Sequence, residues 1–289
     1  MALRSENFLL RRYIEKAMVD LPALPGVVLQ VVQATENENV STAEIEKHLS
    51  LDTAITTKLL KVVNSAYFGL PRQIVNVNQT IAILGLHQVR NLVLSIGVLN
   101  ILTSSSPRVI ETQKAYWQNS FAAASCAEML AKKKSLERKD VETVFVSGLL
   151  RDVGRLFLFT LFTLPYQEVL GASIKNEEPI SETETRILGF THAELGATLA
   201  EKWNFPQILV DAIRDHDRIP EGNVSPTTAC IHVADHLAGE LSDPAFVGVI
   251  DQIDPRALRL LGIAPADLDS LRESTVEQVA KAKELVGLL

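Results

Sequence analysis

Apolar positions recur along this chain at a spacing of three and four residues, and convincing alternating strands are absent. The pattern therefore predicts helix almost throughout. Val28, Val31, Val32 and Thr35 mark one face of a helix after the Pro22/Pro25 turn. Ser41 and Glu44 have the spacing of a capping box that opens the next. Asp52 is placed to cap a third helix with an inner stripe of Ile55, Leu59, Val62 and Ala66, ended by Gly69, Leu70 and Pro71. Two more helices, 80–84 and 87–102, break near Gly85, and the second is apolar on nearly all sides, which predicts burial.

Thr103-Ser104-Ser105-Ser106-Pro107 is a small polar run closed by proline, and it divides the chain into lobes of residues 1–106 and 107–289. Helices are predicted beyond it around 114–133, 141–162, 182–188, 192–203, 206–216 and 226–241, with two more at the C-terminus. Asp140 and Ser225 stand at cap positions, and Pro226 falls in a first turn where its missing N–H costs nothing. The expected fold is all-α and two-lobed.

The chain has 289 residues, 47% of them hydrophobic, enough to bury a core without disulfides. Cys126 and Cys230 lie in apolar helical patterns that suit reduced core thiols. With 28 basic and 35 acidic side chains the net charge is -7, so no global field draws nucleic acid or anionic membrane. Lys132-Lys133-Lys134 is a local basic run, but it ends a helix, where cations favour the dipole. The 87–102 helix offers only Arg90 as a basic contact, against a helix-turn-helix reading of the first lobe. The N-terminus lacks a signal pattern and no apolar run reaches the roughly 20 residues that span a bilayer, so the expected compartment is the cytoplasm.

Specific motifs add a family to this picture. Leu21-Pro22-Ala23-Leu24-Pro25, Asp52 ahead of Lys58-Leu59-Leu60-Lys61-Val62-Val63-Asn64-Ser65-Ala66-Tyr67-Phe68-Gly69, and Ile81-Ala82-Ile83-Leu84-Gly85 follow one another in order. The runs 117–120, 148–154, 192–197 and 203–216 continue the match. Together they resemble the HDOD domain, a bacterial signalling relative of the HD metal-dependent phosphohydrolases, over roughly residues 15 to 240.

In those phosphohydrolases the resemblance implies a His, then an adjacent His-Asp pair, then a distal Asp as metal ligands. They fall here on Asn119, Arg151, Asp152 and Asp235, so only the two acids survive. An imidazole holds a metal; a guanidinium offers donors only and does not deprotonate in proteins. Phe145, Gly148, Leu149, Asp152 and Leu156 share a stripe, which turns Asp152 inward. Arg151 can then bridge Asp152 and Asp235 in place of a cation. The alternative leaves Arg151 in solvent and Asp152 bonded to backbone amides.

His192 and His216 stand where the family's wider pattern also places histidines, and Asp217 stands where related enzymes have another His. Thr191-x-x-Glu194 is a capping box that puts His192 in a first turn, with Phe190 and Leu195 as a hydrophobic staple. His216 shares a stripe with Leu209, Ala212 and Ile213. Asp152, His192, His216 and Asp235 are thus the candidate metal ligands, against ordinary core histidines that need no metal.

The resulting expectation is a non-catalytic signalling and interaction module with a degenerate metal site and no cofactor beyond an adventitious divalent ion. The resemblance implies sensor kinases, response regulators or cyclic-nucleotide enzymes as partners, with no membrane and no nucleic acid. The alternatives are a residual metal-dependent phosphohydrolase acting on a nucleotide or phosphodiester, and a nucleotide sensor that does not hydrolyse. The 64–69 run reads as structural, or as an interaction edge.

Overall fold

The computed structural model of the chain describes the backbone of residues 2–35, 37, 40–65, 67–104 and 106–286. Helix dominates, and among the described residues the one β-type pairing is an isolated bridge between Pro179 and Val249. The first lobe runs α1 (Ala2–Asp20), α2 (Gly26–Ala34), α3 (Thr42–Ser50), α4 (Thr53–Val63), α5 (Val77–Leu84) and α6 (Leu86–Ile101). The second runs α7 (Pro107–Lys133), α8 (Arg138–Leu150), α9 (Val153–Leu161), α10 (Thr163–Asn176), α11 (Ile180–Leu188) and α12 (His192–Lys202). It continues with α13 (Gln207–Asp215), α14 (Pro226–Glu240), α15 (Pro244–Val247), α16 (Pro255–Leu261), a 3₁₀ turn at Pro265–Asp267, and α17 (Leu268–Val286).

Local chemistry sets many of the ends. Asp52 accepts from the amides of Ala54 and Ile55 at 3.0 Å each and opens α4. Ser225 caps α14 through the Thr228 amide, with Pro226 in the first turn. The Thr191/Glu194 capping box is complete. At Ser41 half of the expected box is present, the Ser41 hydroxyl accepting from the Glu44 amide. Gly85 takes φ 90, open to glycine at no cost, and lets α5 and α6 meet at a bend of 119°.

Other ends differ from the sequence expectation. Helix α4 stops at Val63, ahead of Gly69, because the Asn64 amide donates to Leu60 O and Ile74 O and accepts from Ile74 N, stapling the following loop to the helix end. Ala66, expected on its stripe, lies outside the described residues. Glu137, not Asp140, is the N-cap of α8, and α7 begins at Pro107, earlier than expected. Two helices went unread: α1, which packs through Leu10, Ile14, Ala17 and Met18, and α10, whose buried stripe is Tyr166, Val169, Leu170 and Ser173. Pro165 masks α10 by reading as a break; in a first turn its absent N–H is not needed. The C-terminus carries α15, α16 and α17 where two helices were expected.

A continuous apolar core joins the lobes, running from Ile14, Val28 and Leu59 through Leu92 and Val93 to Phe145, Phe157 and Leu199. The helix α6 is buried on nearly all sides, and Gly97 lets it approach α2 so closely that a Cβ there would meet Val28 Cγ2 at 2.8 Å. A second cluster, with Leu130, Val144, Ile231 and Leu237, lies beneath the C-terminal helices and holds both cysteines, whose thiols burial pushes up to about 11 (Cys126) and about 12 (Cys230). Polar ties cross between lobes as well. Lys202 Nζ donates to the carbonyls of Met18, Val19 and Leu21 at 2.7–2.9 Å, and Asn91 Nδ2 donates to Glu142 O. No single described helix is long and apolar enough to cross a membrane.

Candidate functional site

The expected continuous helix over 141–162 is broken at Arg151 and Asp152, and the break builds the site. Asp152 takes φ -93, ψ 20 at the start of α9, and its carboxylate makes no capping bond, which leaves it free for other partners. Helix α9 then crosses α12 at Gly154, where an added Cβ would stand 2.0 Å from His192 O and 2.6 Å from Gly196 N. Glycine at this crossing brings the first turn of α12, and His192 with it, against Asp152.

Arg151 is fully buried and Asp152 is 3% exposed. The guanidinium reaches Asp235 Oδ1 through Nε at 2.5 Å, Gly148 O through Nη1 at 3.0 Å and Asp152 Oδ2 through Nη2 at 3.1 Å, and Nη2 also donates to Asn119 Oδ1. It thus touches each of the other three positions that the family resemblance matches to metal ligands. Asn119 in turn donates to Ser242 Oγ at 2.8 Å. Burial opposes the Arg151 charge, but Asp235 and Asp152 outweigh it and raise the pKa. Burial likewise works to raise Asp152, but Arg155 and then Arg151 hold it well below the ordinary carboxylate range. Asp235 is lowered by Arg151 against the same burial.

A second buried arginine completes the arrangement. Arg155 Nε pairs with Asp152 Oδ1 at 3.1 Å, Nη1 donates to Val247 O at 2.8 Å and Phe246 O at 3.4 Å, and Nη2 lies 3.0 Å from His192 Nε2. Glu184, fully buried on α11, accepts from His192 Nδ1 at 2.7 Å, from the His192 amide at 2.8 Å and from Tyr166 Oη at 2.6 Å. Burial and Arg155 disfavour a charge on His192, whereas Glu184 and Asp217 favour it and raise its pKa. The Nη2 contact nevertheless needs the Nε2 lone pair. The geometry assigns the neutral ring here, with its proton on Nδ1 toward Glu184.

His216 is fully buried at the end of α13, its Nδ1 on Ile213 O at 2.8 Å. The Nε2 atoms of His192 and His216 lie 3.3 Å apart, and Asp152 Oδ1 is 3.3 Å from the first and 3.5 Å from the second. Asp217 Oδ2 is 3.4 Å from His192 Nε2. Four acids, Asp152, Glu184, Asp217 and Asp235, thus gather around two guanidiniums and two imidazoles, and although burial disfavours a charge on His216, Asp152 and Asp217 outweigh it and raise its pKa.

The metal-dependent chemistry that the resemblance implies does not fit this set as it stands. At the first position a guanidinium bonds to every remaining ligand, and it has no lone pair to offer a metal. At the second, Asp152, His192 and His216 are spaced as ligands, but Arg155 engages the lone pair of His192. The ligand group expected from sequence forms two overlapping sets: Asp152, His192 and His216 converge, and Asp235, held by Arg151, gathers with His216 and Asp217. Arg155, Glu184 and Asp217 were not singled out in advance as members. Arg155 left one trace, its i, i+3 spacing from Asp152 in an apolar helix; Glu184 left none.

A cavity of about 220 Å³ lined by Tyr116, Asn119, Asp152, Arg155, Phe246 and Lys283 opens onto the cluster. A larger one, about 860 Å³, lies away from it between the lobes, where Tyr67, Phe68 and Leu84 face Met129, Arg138 and Phe145. The 64–69 run thus divides its roles: Asn64 fixes a loop, while Tyr67, hydrogen-bonded to Ser125 Oγ at 2.8 Å, and Phe68 line the groove.

The fold and the site define a two-lobed helical protein with a buried cluster of acids and histidines paired with two arginines. The HDOD domain family matches residues 21–219, and the chain belongs to that family. It is 30% identical over 205 residues to an uncharacterized protein of Treponema pallidum (strain Nichols), covering 70% of this chain and 38% of that one. The chain therefore spans well under half the length of that curated relative. Its fold is that of an HDOD domain protein of unknown function from Geobacter sulfurreducens, with a TM-score of 0.75, 21% identity, and 97% and 98% of the two chains covered. A Marinobacter aquaeolei protein provisionally described as acting in signal transduction shares it too, at TM-score 0.75 and 18% identity over 95% of this chain and 60% of that one.

Proposed function

We propose that this chain is a non-catalytic signal-transduction module that acts by binding other signalling proteins. The observation that carries the reading is Arg151, whose buried guanidinium stands at the histidine position of the paired ligands and bonds to Asn119, Asp152 and Asp235. Phosphoester hydrolysis on this frame needs a cation that polarises phosphate and acidifies water; a guanidinium does the first in part and the second not at all. The 220 Å³ cavity is also below the roughly 300–1,000 Å³ of a typical small-molecule site, which disfavours an enclosed nucleotide. The partners suggested by the family are sensor kinases, response regulators and cyclic-nucleotide enzymes in the cytoplasm, met by residues 1–106 and 107–289 acting as one docked unit.

The test is elemental analysis of protein purified from metal-supplemented medium, with hydrolysis assays on generic phosphodiesters in manganese, magnesium or iron. The expected result is no stoichiometric metal and no turnover. A transition metal near one per chain, with hydrolysis abolished by Asp152→Ala, would establish instead a residual phosphohydrolase. That second reading has one observation in its favour, the convergence of Asp152, His192 and His216.

A further inference from the structure

The groove between the lobes, about 860 Å³, takes no part in the buried cluster. Its second-lobe wall is an antiparallel hairpin of α7 and α8, so tight that a Cβ on Gly148 would meet Ala124 Cα at 2.9 Å. Helix α7 contributes Ser125, Glu128, Met129 and Lys132 to the wall. Helix α8 contributes Arg138, Val141, Glu142 and Phe145. Each set has the i, i+3, i+4, i+7 spacing of one helix face, about 10 Å long. Two such stripes side by side leave between them the groove into which a further helix packs. The first-lobe wall is apolar, with Tyr67, Phe68 and Leu84, and Ile83 stands at its edge 50% exposed.

The polar groups of the groove are ordered by depth. The Tyr67 and Ser125 hydroxyls satisfy one another at 2.8 Å. Glu128 pairs with Lys132 at 2.8 Å, and Glu142 with Arg138 at 2.9 Å. In both pairs the acid lies low, 30% and 13% exposed, and the cation stands at the rim, 63% and 75% exposed. Lys133 and Lys134 follow in the same exposed turn. The hydroxyls and carboxylates of the floor are thus already paired, which suits apolar side chains better than a phosphate or a base. The rim is cationic on a chain whose net charge is -7. An acidic segment is repelled by the molecule at large and attracted here.

We infer that this groove docks an amphipathic helix of a partner protein, apolar on the face that enters and acidic where it meets Lys132 and Arg138. The inference rests on the proposed function, that the chain acts by binding signalling proteins, and it assigns the surface. Helix-in-groove recognition reads anchors at i, i+3 or i+4, and i+7, the length of the two stripes. Tyr67 and Phe68 of the 64–69 run thereby gain an interface role. A second copy does not supply this helix through α1, because the exposed apolar face there, Leu9 and Tyr13, carries Arg12 and Lys16.

The test selects displayed peptides of about 15 residues, long enough to form helix, from a randomised library on the full chain. The enriched peptides are then measured by fluorescence anisotropy against wild type, Ile83→Asp, and the double reversal Lys132→Glu with Arg138→Glu. Lys175→Glu, an exposed cation on α10, is the control. All four substituted side chains are half-exposed or more, and circular dichroism checks that each variant is folded. The enriched peptides are expected to share apolar residues at helical spacing with flanking Asp or Glu. Ile83→Asp should weaken them by about tenfold or more, the worth of one lost aliphatic contact. The double reversal should weaken them too, added salt should do the same to wild type, and Lys175→Glu should not. Peptides whose acids are changed to lysine should prefer the double reversal to wild type, a switch that mere loss of structure does not produce.

Enrichment without this pattern, or binding that Ile83→Asp and the double reversal both leave unchanged, overturns the inference and leaves the proposed function standing. So does a dimer in sedimentation that Ile83→Asp dissociates, or a rise in Tm with nucleotides that Ile83→Asp removes. Metal-dependent phosphodiester turnover, read on the same wild-type preparation without peptide, overturns the proposed function and this inference with it.

Discussion

Arg151→Met tests the proposed substitution of arginine for metal most directly. Methionine keeps most of the length and volume of the side chain, so the cavity left behind is small, and the main effect is loss of charge and donors. Arg151 is fully buried, with side-chain exposures of 5% for Asp152 and 16% for Asp235. Asp152 retains Arg155, whereas among the described residues Asp235 has no other ion pair. Breaking a buried pair by removing one partner costs about 3–5 kcal/mol, because a carboxylate is stranded away from water. Urea denaturation at neutral pH should give a loss in that range for Arg151→Met. Adding Asp235→Asn should recover part of it, since the stranded charge is gone, with a coupling energy of roughly 0.5–3 kcal/mol in the double-mutant cycle. A loss within about 0.5 kcal/mol, the usual size of a surface change, or strict additivity of the two substitutions, would refute the reasoning.

The carboxylates of Asp152 and Asp235 are lowered by Arg155 and Arg151 against the opposing effect of burial. Their contribution to stability is complete above the unfolded-state pKa of about 4 and is lost as pH falls through the lower folded-state values. Urea midpoints should accordingly be flat above about pH 5 and fall steeply below about pH 4, and the fall should be shallower in Arg151→Met; an unchanged slope would contradict the assignment. Gly154→Ala forces a Cβ to within 2.0 Å of His192 O, and overpacking of that kind typically costs about 1–3 kcal/mol or more. Its thermal melt should show the loss, and a melt unchanged from wild type would mean that the α9–α12 crossing is not tight. Lys202→Met removes the ammonium that satisfies the carbonyls ending α1. Limited proteolysis should then cut near residues 20–22 faster than in wild type, with the remaining chain still folded; an unchanged rate would show that apolar packing alone holds α1.

Much of this protein was legible in the linear sequence where causes are local. The helix period, the Asp52 and Ser225 caps, the Thr191/Glu194 box and the Gly85 break each depend on residues within about one turn of one another, and each stands in the structure. So does the burial of α6, because a helix apolar on nearly all sides has no stable place in water. The meeting of Arg151 with Asp152 and Asp235 was also foreseeable, since two inward acids and an added arginine require charge compensation.

The rest was decided by tertiary contact. The break at Arg151 and Asp152 interrupts a stripe whose periodicity runs on unbroken, and nothing within a turn of it signals the interruption. The reason lies across the fold, where Asn119 and Asp235 draw Arg151 one way while Arg155, His192 and His216 gather on Asp152. Glu184 reads in the sequence as one acid in a polar helix, and it becomes the fully buried partner of His192 only because α11 packs beneath the start of α12. Arg155 reads as a half-turn neighbour of Asp152, and its position over the His192 lone pair depends on the glycine crossing of α9 and α12. Sequence alone determined most of the helical segments and their inward faces, α1, α10 and the break at Arg151 and Asp152 apart, because those follow from periodicity and local hydrogen bonding. Which inward charge meets which was decided by the tertiary structure, because it depends on the angles and separations at which distant helices pack.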